Sequence, residues 1–312
     1  MDNLLIVAQQ VAILFVLVGA GALMRRAGFF RDAAIDGMVN VLVLVVTPCL
    51  IVDVFQRPFD SSMLRAFGLA FLIAFLAHVA VILVSQVTAR GDARAKPVLK
   101  LATVFSNAGF MGIPLEYAIL GPEGVFYGIV YVVMFNLFMW SWGLCEMRGV
   151  AVRKMDRQQL VLMCVNPGTV GIAVGLPLFL LSVALPSILR EPIRLMAGLN
   201  TPLAMIVIGF YLAGADLRKV LRTPAAHVAA GIRLVAYPLL TVAALYPFRA
   251  GLDRTMMLAV VIAASAPVGA MVTMFASKYE RDVDLSVGLV SGTTLVSILT
   301  MPVVIAIAME VL

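Results

Sequence analysis

Two short stretches place proline, glycine and small polar side chains inside otherwise apolar sequence. The first is SNAGFMGIP at 106–114, and the second is SAPVG at 265–269. Proline has no backbone N–H and cannot continue a helix from behind, and glycine weakens a helix. We therefore expect a helix to stop and restart in each stretch. A restarted helix presents free N–H groups and the positive end of its dipole, which together attract negative charge.

The second halves of these two helices are predicted to begin near Ile113 and Pro267, because proline fits the first turn of a helix. If the two starts face each other, they form a site suited to a carboxylate. A simple packing kink is the alternative for either stretch taken alone. The predicted binding residues are Ser106, Asn107, Gly109, Phe110, Gly112, Ile113 and Pro114 in the first stretch, and Ser265, Pro267, Val268 and Gly269 in the second.

The elements that carry these stretches are predicted to be membrane helices. The 312 residues are 62% hydrophobic and 13% charged, with a mean hydropathy of +1.06. Continuous apolar runs of about 20 residues fit spanning helices, and they lack the alternation of barrel strands. The predicted fold class is an all-α integral membrane protein of ten transmembrane helices. Their approximate bounds are 4–24, 34–55, 64–88, 98–120, 124–146, 160–182, 194–215, 225–247, 254–277 and 285–309.

Basic residues predict the orientation of these spans. Sixteen of the 23 Lys and Arg residues fall in the loops after odd-numbered spans, and six fall in the other loops. By the positive-inside rule, the odd-numbered loops are cytoplasmic and both termini lie outside. The first basic residue, Arg25, follows the first apolar run, which predicts a retained span of the cell (inner) membrane and not a cleaved signal peptide. The net charge of +6 is explained by these loops and does not indicate nucleic acid.

The two halves of the chain resemble each other weakly. Thr47-Pro48 in span 2 corresponds to Thr201-Pro202 in span 7, and Ser106 in span 4 corresponds to Ser265 in span 9. Because five spans is an odd number, the second copy must enter the membrane upside down, as in many secondary transporters. We expect one transporter domain, 1–312, built from inverted repeats at 1–150 and 158–312. The broken spans 4 and 9 are predicted to cross near the midplane.

Several of these motifs resemble the auxin efflux carrier family, which includes plant auxin exporters and bacterial carriers such as putative malonate transporters. The matching stretches are TPCL at 47–50, SNAGFMGIPL at 106–115, VNPGTVG at 165–171, NTPL at 200–203 and SAPVGAM at 265–271. The resemblance covers essentially the whole chain. It implies a transport unit with crossed broken helices, a scaffold of spans 1, 2, 6 and 7 that forms a homodimer, and elevator-like movement. It also implies that Asn107, Gly109, Pro114 and Pro267 line a substrate site.

Three further polar residues within spans are candidates for the same site. Charged and polar groups in lipid are costly and by default suggest function. Arg233 could attract an anion, His78 could titrate near neutral pH, and Asn136 could hydrogen-bond a substrate. Packing against backbone carbonyls or a neighbouring helix is the alternative for each. No carboxylate lies in the middle of a predicted span, since Glu116 follows the break, which favours facilitated or potential-driven anion movement.

The leading function is therefore a carrier of a small organic anion, without a cofactor and working in a lipid bilayer. A sodium-coupled symporter of the bile-acid type is the first alternative, but it needs acidic sodium ligands beside the crossing. An intramembrane enzyme would need a Ser/His pair, paired aspartates or a metal cluster, and none is apparent in the sequence. The three cysteines have no metal or disulfide spacing. A sensor or interaction module would usually carry an attached soluble domain.

Overall fold

A computed structural model of the chain describes residues 2–30, 32–150, 165 and 167–312, and these residues form helices joined by short connections. Sixteen α-helices are labelled here in chain order. They are α1 Asp2–Arg26, α2 Asp32–Val41, α3 Thr47–Phe55, α4 Ser61–Thr88, α5 Ala95–Val104, α6 Ile113–Phe138, α7 Leu144–Arg148, α8 Pro167–Leu180, α9 Ser187–Gly198, α10 Asn200–Ala213, α11 Arg218–Leu221, α12 Pro224–Gly231, α13 Tyr237–Leu245, α14 Arg254–Ser265, α15 Met271–Lys278 and α16 Val283–Val311.

Within the described residues, seven helical stretches are long and apolar enough to cross a membrane. They are Leu4–Arg26, Ala33–Phe55, Ser61–Thr88, Ala108–Arg148, Ser187–Ala213, Pro224–Phe248 and Val283–Val311. The helical class predicted from the sequence is therefore confirmed, whereas the count of ten remains a prediction. Predicted spans 4 and 9 are interrupted helices, and the first part of predicted span 6 lies outside the described residues.

Within the described residues, three of the long helical stretches contain four five-residue π turns, and a proline lies two residues after three of these turns. The π turns at 42–46, 108–112 and 232–236 are followed by α-helices with Pro48, Pro114 and Pro238 as the second residue. Proline lacks the N–H that would bond the preceding turn, and its ring crowds the carbonyl there. A locally wider turn absorbs both effects, so each of these helices continues past its proline.

Glycines bring α1 and α10 into close contact. A Cβ atom on Gly21 would overlap the backbone of Ile206, and one on Gly209 would overlap the backbone of Val18. Close approach at small residues is the usual way in which membrane helices pack, because lipid removes the hydrophobic drive between them. Helices α3 and α8 also pack together, with Gly171 against Ile51.

Helix α4 begins at a capped end outside the apolar stretch. The Asp60 carboxylate accepts hydrogen bonds from the Ser62 hydroxyl and from the amides of Ser62 and Met63. These bonds favour the charged carboxylate and hold the pKa of Asp60 below its usual value. The cap satisfies amides that the first turn of α4 leaves free.

Candidate functional site

The two broken helices meet at a short antiparallel bridge between Ser106 and Val268. The amide of Asn107 donates to the carbonyl of Pro267 at 2.6 Å, and the amide of Gly269 donates to the carbonyl of Phe105 at 2.9 Å. Extended backbone cannot satisfy its own polar groups, so each break supplies hydrogen-bond partners for the other. A Cβ atom on Gly269 would lie 3.0 Å from the Ser106 carbonyl oxygen, which explains the need for glycine there.

The helices restart at different points from those predicted. The first restart begins at Ala108 with the π turn at 108–112, five residues before the predicted start, and regular α-helix follows from Ile113. The second α-helix begins at Met271, four residues after Pro267, so the predicted start at Pro267 is wrong. Val268 instead donates its amide to the Thr293 hydroxyl of α16 at 3.1 Å, which holds the segment in an extended conformation past the proline.

Ser265 does not occupy the backbone position that corresponds to that of Ser106, the residue with which the sequence paired it. It is the last residue of α14, and its hydroxyl donates to the carbonyl of Ile262 in the same helix. The residue that precedes the second restart is Ala270, as Asn107 precedes the first. The sequence alignment of Ser106 with Ser265 therefore does not describe equivalent backbone positions. Ser106 lies in the bridge itself, with a buried hydroxyl that has no hydrogen-bond partner in the described chain.

Arg233 lies behind the crossing, at the ends of the two first half-helices. Its side chain is fully buried, and its guanidinium donates to the carbonyl of Val104 at 2.9 Å and to the carbonyl of Ala264. The first carbonyl ends α5 and the second belongs to the last turn of α14, so one cation neutralises two negative helix ends. The guanidinium carbon also lies 4.5 Å from the centre of the Tyr237 ring.

On the other side of the crossing, the two helix starts share a small cleft. Asn107 and Ala270, the residues that precede the two restarts, both line it. The cleft has a volume of about 20 Å³, which is room for one water molecule. Its remaining lining comes from Ile208, Tyr211 and Leu212 of α10 and from Val290, Ser291 and Thr294 of α16.

The residues of the first predicted stretch differ in whether they line the cleft. Asn107 reaches the cleft, whereas Gly109 and Phe110 are half-buried in the π turn beside it. Gly112, Ile113 and Pro114 are buried and pack inside the bundle, where a Cβ atom on Gly112 would contact Ala263. These three residues therefore shape the restarted helix more than they line its open end.

The other predicted polar residues are not brought to the cleft. His78 is fully buried, bonds the carbonyl of Ala74 in its own helix at 2.8 Å, and stacks on Phe138. Asn136 donates to the carbonyl of Val132, one turn back in its own helix. Both contacts match the alternative considered from the sequence, which was packing against backbone carbonyls.

The sequence did not identify the cleft residues on α10, or Ser291 on α16, as candidates. Tyr211 and Ser291 give no signal in a single chain, because a tyrosine or serine in an apolar helix is common. Thr294 of α16 lines the cleft, and the hydroxyl of the neighbouring Thr293 accepts the Val268 amide of the second break. Only the packing of α10 and α16 against the crossing identifies these residues.

A larger cavity of about 650 Å³ opens between the α3–α4 and α13–α14 connections. Its lining includes cations such as Arg57 and Arg65 and carboxylates such as Asp60, Glu123 and Asp253. Burial lowers the pKa of Arg57, while nearby Glu123 opposes that shift. None of the crossing residues lines this cavity, so we assign the candidate site to the smaller cleft.

The apolar helices define an integral membrane protein, in which two interrupted helices cross each other. Comparison with known proteins agrees, because residues 6–305 match the family model described as "Membrane transport protein". The chain therefore belongs to this family, the auxin efflux carrier family. It is similar to an "Uncharacterized transporter" of Methanothermobacter thermautotrophicus, with 26% identity over 304 residues, 94% of this chain and 96% of the relative.

Proposed function

We propose that this membrane transporter carries a small organic anion, such as a carboxylate, through the cleft at the helix crossing. The proposal depends on one observation, which is that the two negative and the two positive helix ends lie on different sides of the crossing. The two negative ends meet Arg233, and the two positive ends, after Asn107 and Ala270, meet the cleft. Two helix N-termini and the hydroxyl group of Ser291 favour an anionic group that accepts hydrogen bonds, whereas the Thr294 hydroxyl donates to the carbonyl of Val290 in its own helix.

The proposed mechanism is elevator-like alternating access by ten helices in two inverted repeats, 1–150 and 158–312. The division into two bodies is supported by the packing of α1 on α10 and of α3 on α8, and by the packing of the crossing with α4 and α6, while α16 contacts both the crossing and α1. The first group corresponds to spans 1, 2, 6 and 7, which we propose as a fixed, dimeric scaffold. A cleft of about 20 Å³ is too small for a carboxylate, so entry requires the crossing to move relative to α10.

Sodium coupling of the bile-acid symporter type is the second candidate. It requires acidic or clustered oxygen ligands beside the crossing. In the described part of the chain the cleft is lined by one amide side chain and by hydroxyl groups, with no carboxylate. The lining therefore favours an anion without a bound sodium ion.

Transport by purified protein in liposomes tests this proposal. A panel of labelled mono- and dicarboxylates is offered with and without a membrane potential, which is worth about 2.3 kcal/mol per charge per 100 mV. We expect saturable transport of at least one carboxylate and a loss of about tenfold or more in Asn107→Ala, because one helix start loses its polar side chain. Asn136→Ala is the matched control, since its amide bonds only its own helix. Absence of transport for every anion under every gradient would overturn the proposal.

A further inference from the structure

Glu116 is a carboxyl group buried beside the crossing with no hydrogen-bond donor. It lies one turn into α6, in the same helical segment that starts at the cleft after Asn107. The side chain is fully buried, and neither carboxyl oxygen has a hydrogen-bond partner in the described residues. The next residue, Tyr117, is 58% exposed, so a carboxyl group one residue further along the chain would face outward.

The fold provides a fitted space for this carboxyl group. Gly121, with φ of +70°, and Pro122 turn the chain back so that the next limb of α6 lies against the first. A Cβ atom on Gly128 of that limb would overlap the Glu116 carboxyl group. On the other side, the Cβ position of Gly112 lies 3.8 Å from a carboxyl oxygen. Gly128 thus makes room for a carboxyl group that the segment keeps away from water, and the position at Gly112 is in ordinary van der Waals contact with it.

No cation of the described residues compensates a charge at this position. The elements packed against α6 include α14, α4, α3, α1 and α8, and α8 has no ionisable side chain. The other described ionisable side chains of these elements and of α6 are Arg25, Arg26, Cys49, Asp53, Arg65, His78, Tyr117, Glu123, Tyr127, Tyr131 and Arg254. None of them forms an ion pair or hydrogen bond with Glu116. Arg25, His78 and Arg254 bond the backbone carbonyls of Phe210, Ala74 and Met309 instead.

An unpaired carboxylate in such surroundings is far less stable than the neutral acid, and buried groups without partners take up a proton instead. The neutral acid is also a donor, so it can bond a backbone carbonyl that a carboxylate cannot. A metal ion would require several oxygen ligands, and the described residues contain no group of three acidic, His or Cys side chains that could hold one. The proton is therefore the ligand that this space fits.

We propose that Glu116 is a proton-binding site that must be occupied for the crossing to adopt its closed packing, so that transport requires a protonated Glu116. This inference rests on the proposed transport function and adds a proton requirement to it. The direction of the pH effect on transport follows because the neutral form of Glu116 is the form that supports transport. Transport should be fastest at low pH and should fall as rising pH ionises the carboxyl group.

The test compares wild-type protein with Glu116→Gln, which keeps the shape and cannot ionise. The wild-type rate should fall by up to about tenfold per pH unit once ionisation begins, whereas the rate of Glu116→Gln should stay flat. Glu123→Gln is the matched control, because Glu123 lies in the same helix at an exposed position and should leave the wild-type profile unchanged. The inference would be overturned if Glu116→Gln showed the same dependence of transport rate on pH as the wild-type protein.

An infrared measurement separates this inference from the proposed function. At neutral pH the wild-type protein should show the carbonyl stretch of a protonated carboxylic acid, and the band should be lost in Glu116→Gln but kept in Glu123→Gln. A wild-type protein without that band at neutral pH overturns the proton site even if anions are transported. A protein that has the band but moves no anion retains the proton site, and the proposed function fails instead.

Discussion

Arg233 combines a buried charge with two backbone acceptors, and this arrangement determines the electrostatics of the crossing. A substrate-binding role was one expectation for it, but its guanidinium is directed to the ends of α5 and α14. A cation there cancels the negative ends of two helix dipoles. The positive ends at the cleft then remain as the fixed charge that the proposed anion would meet. We regard Arg233 as a positioning residue for the two half-helices.

Replacing Arg233 with methionine should destabilise the protein. The change leaves the buried carbonyls of Val104 and Ala264 without their donor, which should lower the free energy of unfolding by about 2–5 kcal/mol. Thermal unfolding in detergent measures the loss. Arg222→Met is the control, since Arg222 is exposed, and it should unfold close to the wild-type temperature. Equal melting temperatures for the two variants would contradict the assigned role.

At the scale of elements, interrupted helices are possible here because each break is satisfied by the other. The bonds from Asn107 to Pro267 and from Gly269 to Phe105 replace those that the helices lack. The contact between α1 and α10 depends on a different feature, which is the absence of side chains at the closest points. Both contacts place backbone against backbone, as expected where lipid offers no hydrophobic drive.

Two glycines of α1 provide a matched test of that contact. Gly21→Ala should destabilise the protein by about 1–3 kcal/mol, because the added methyl group would overlap the backbone of Ile206. Gly19→Ala should be neutral or slightly stabilising, because no atom lies within 4 Å of its Cβ position and alanine favours helix. Thermal unfolding of both variants in detergent measures the difference. Equal destabilisation by the two changes would exclude close packing of α1 on α10.

At the scale of the whole molecule, the distribution of basic residues predicts how the bundle is oriented. The loop after α4 carries Arg90 and Arg94, Lys96 follows in the first turn of α5, and the predicted outer connections carry few cations. The structure is compatible with this arrangement, since the helices are joined by short connections throughout the described residues. The orientation with both termini outside remains a prediction.

Cysteine labelling tests the orientation. In a background without Cys49, Cys145 and Cys164, we expect Leu312→Cys and Arg249→Cys to react with an impermeant maleimide from the outer side. Arg90→Cys should react only in inside-out vesicles. Labelling of Leu312→Cys and Arg90→Cys from the same side would require a different number of spans.

The sequence by itself determined the helical membrane class, the family and the position of both breaks. These features can be predicted because an apolar composition indicates that the surface faces lipid. Proline and glycine also affect the backbone at their own positions. The first restart begins at Ala108, five residues before the predicted Ile113 where regular α-helix follows, and the second begins at Met271, four residues after the predicted Pro267. Pro267 was expected to open a helix, but the bonds from the facing chain and from Thr293 hold it extended.

Only the tertiary structure decided which polar groups meet. It directed Arg233 to helix ends, bonded His78 and Asn136 within their own helices, and gathered Tyr211, Ser291 and Thr294 around Asn107. It also buried Glu116 against Gly128, although the sequence placed that carboxyl group merely after a break. The physical reason is that the partner of a side chain in an apolar helix depends on which helix lies opposite. Packing between distant segments sets that choice, and no local pattern records it.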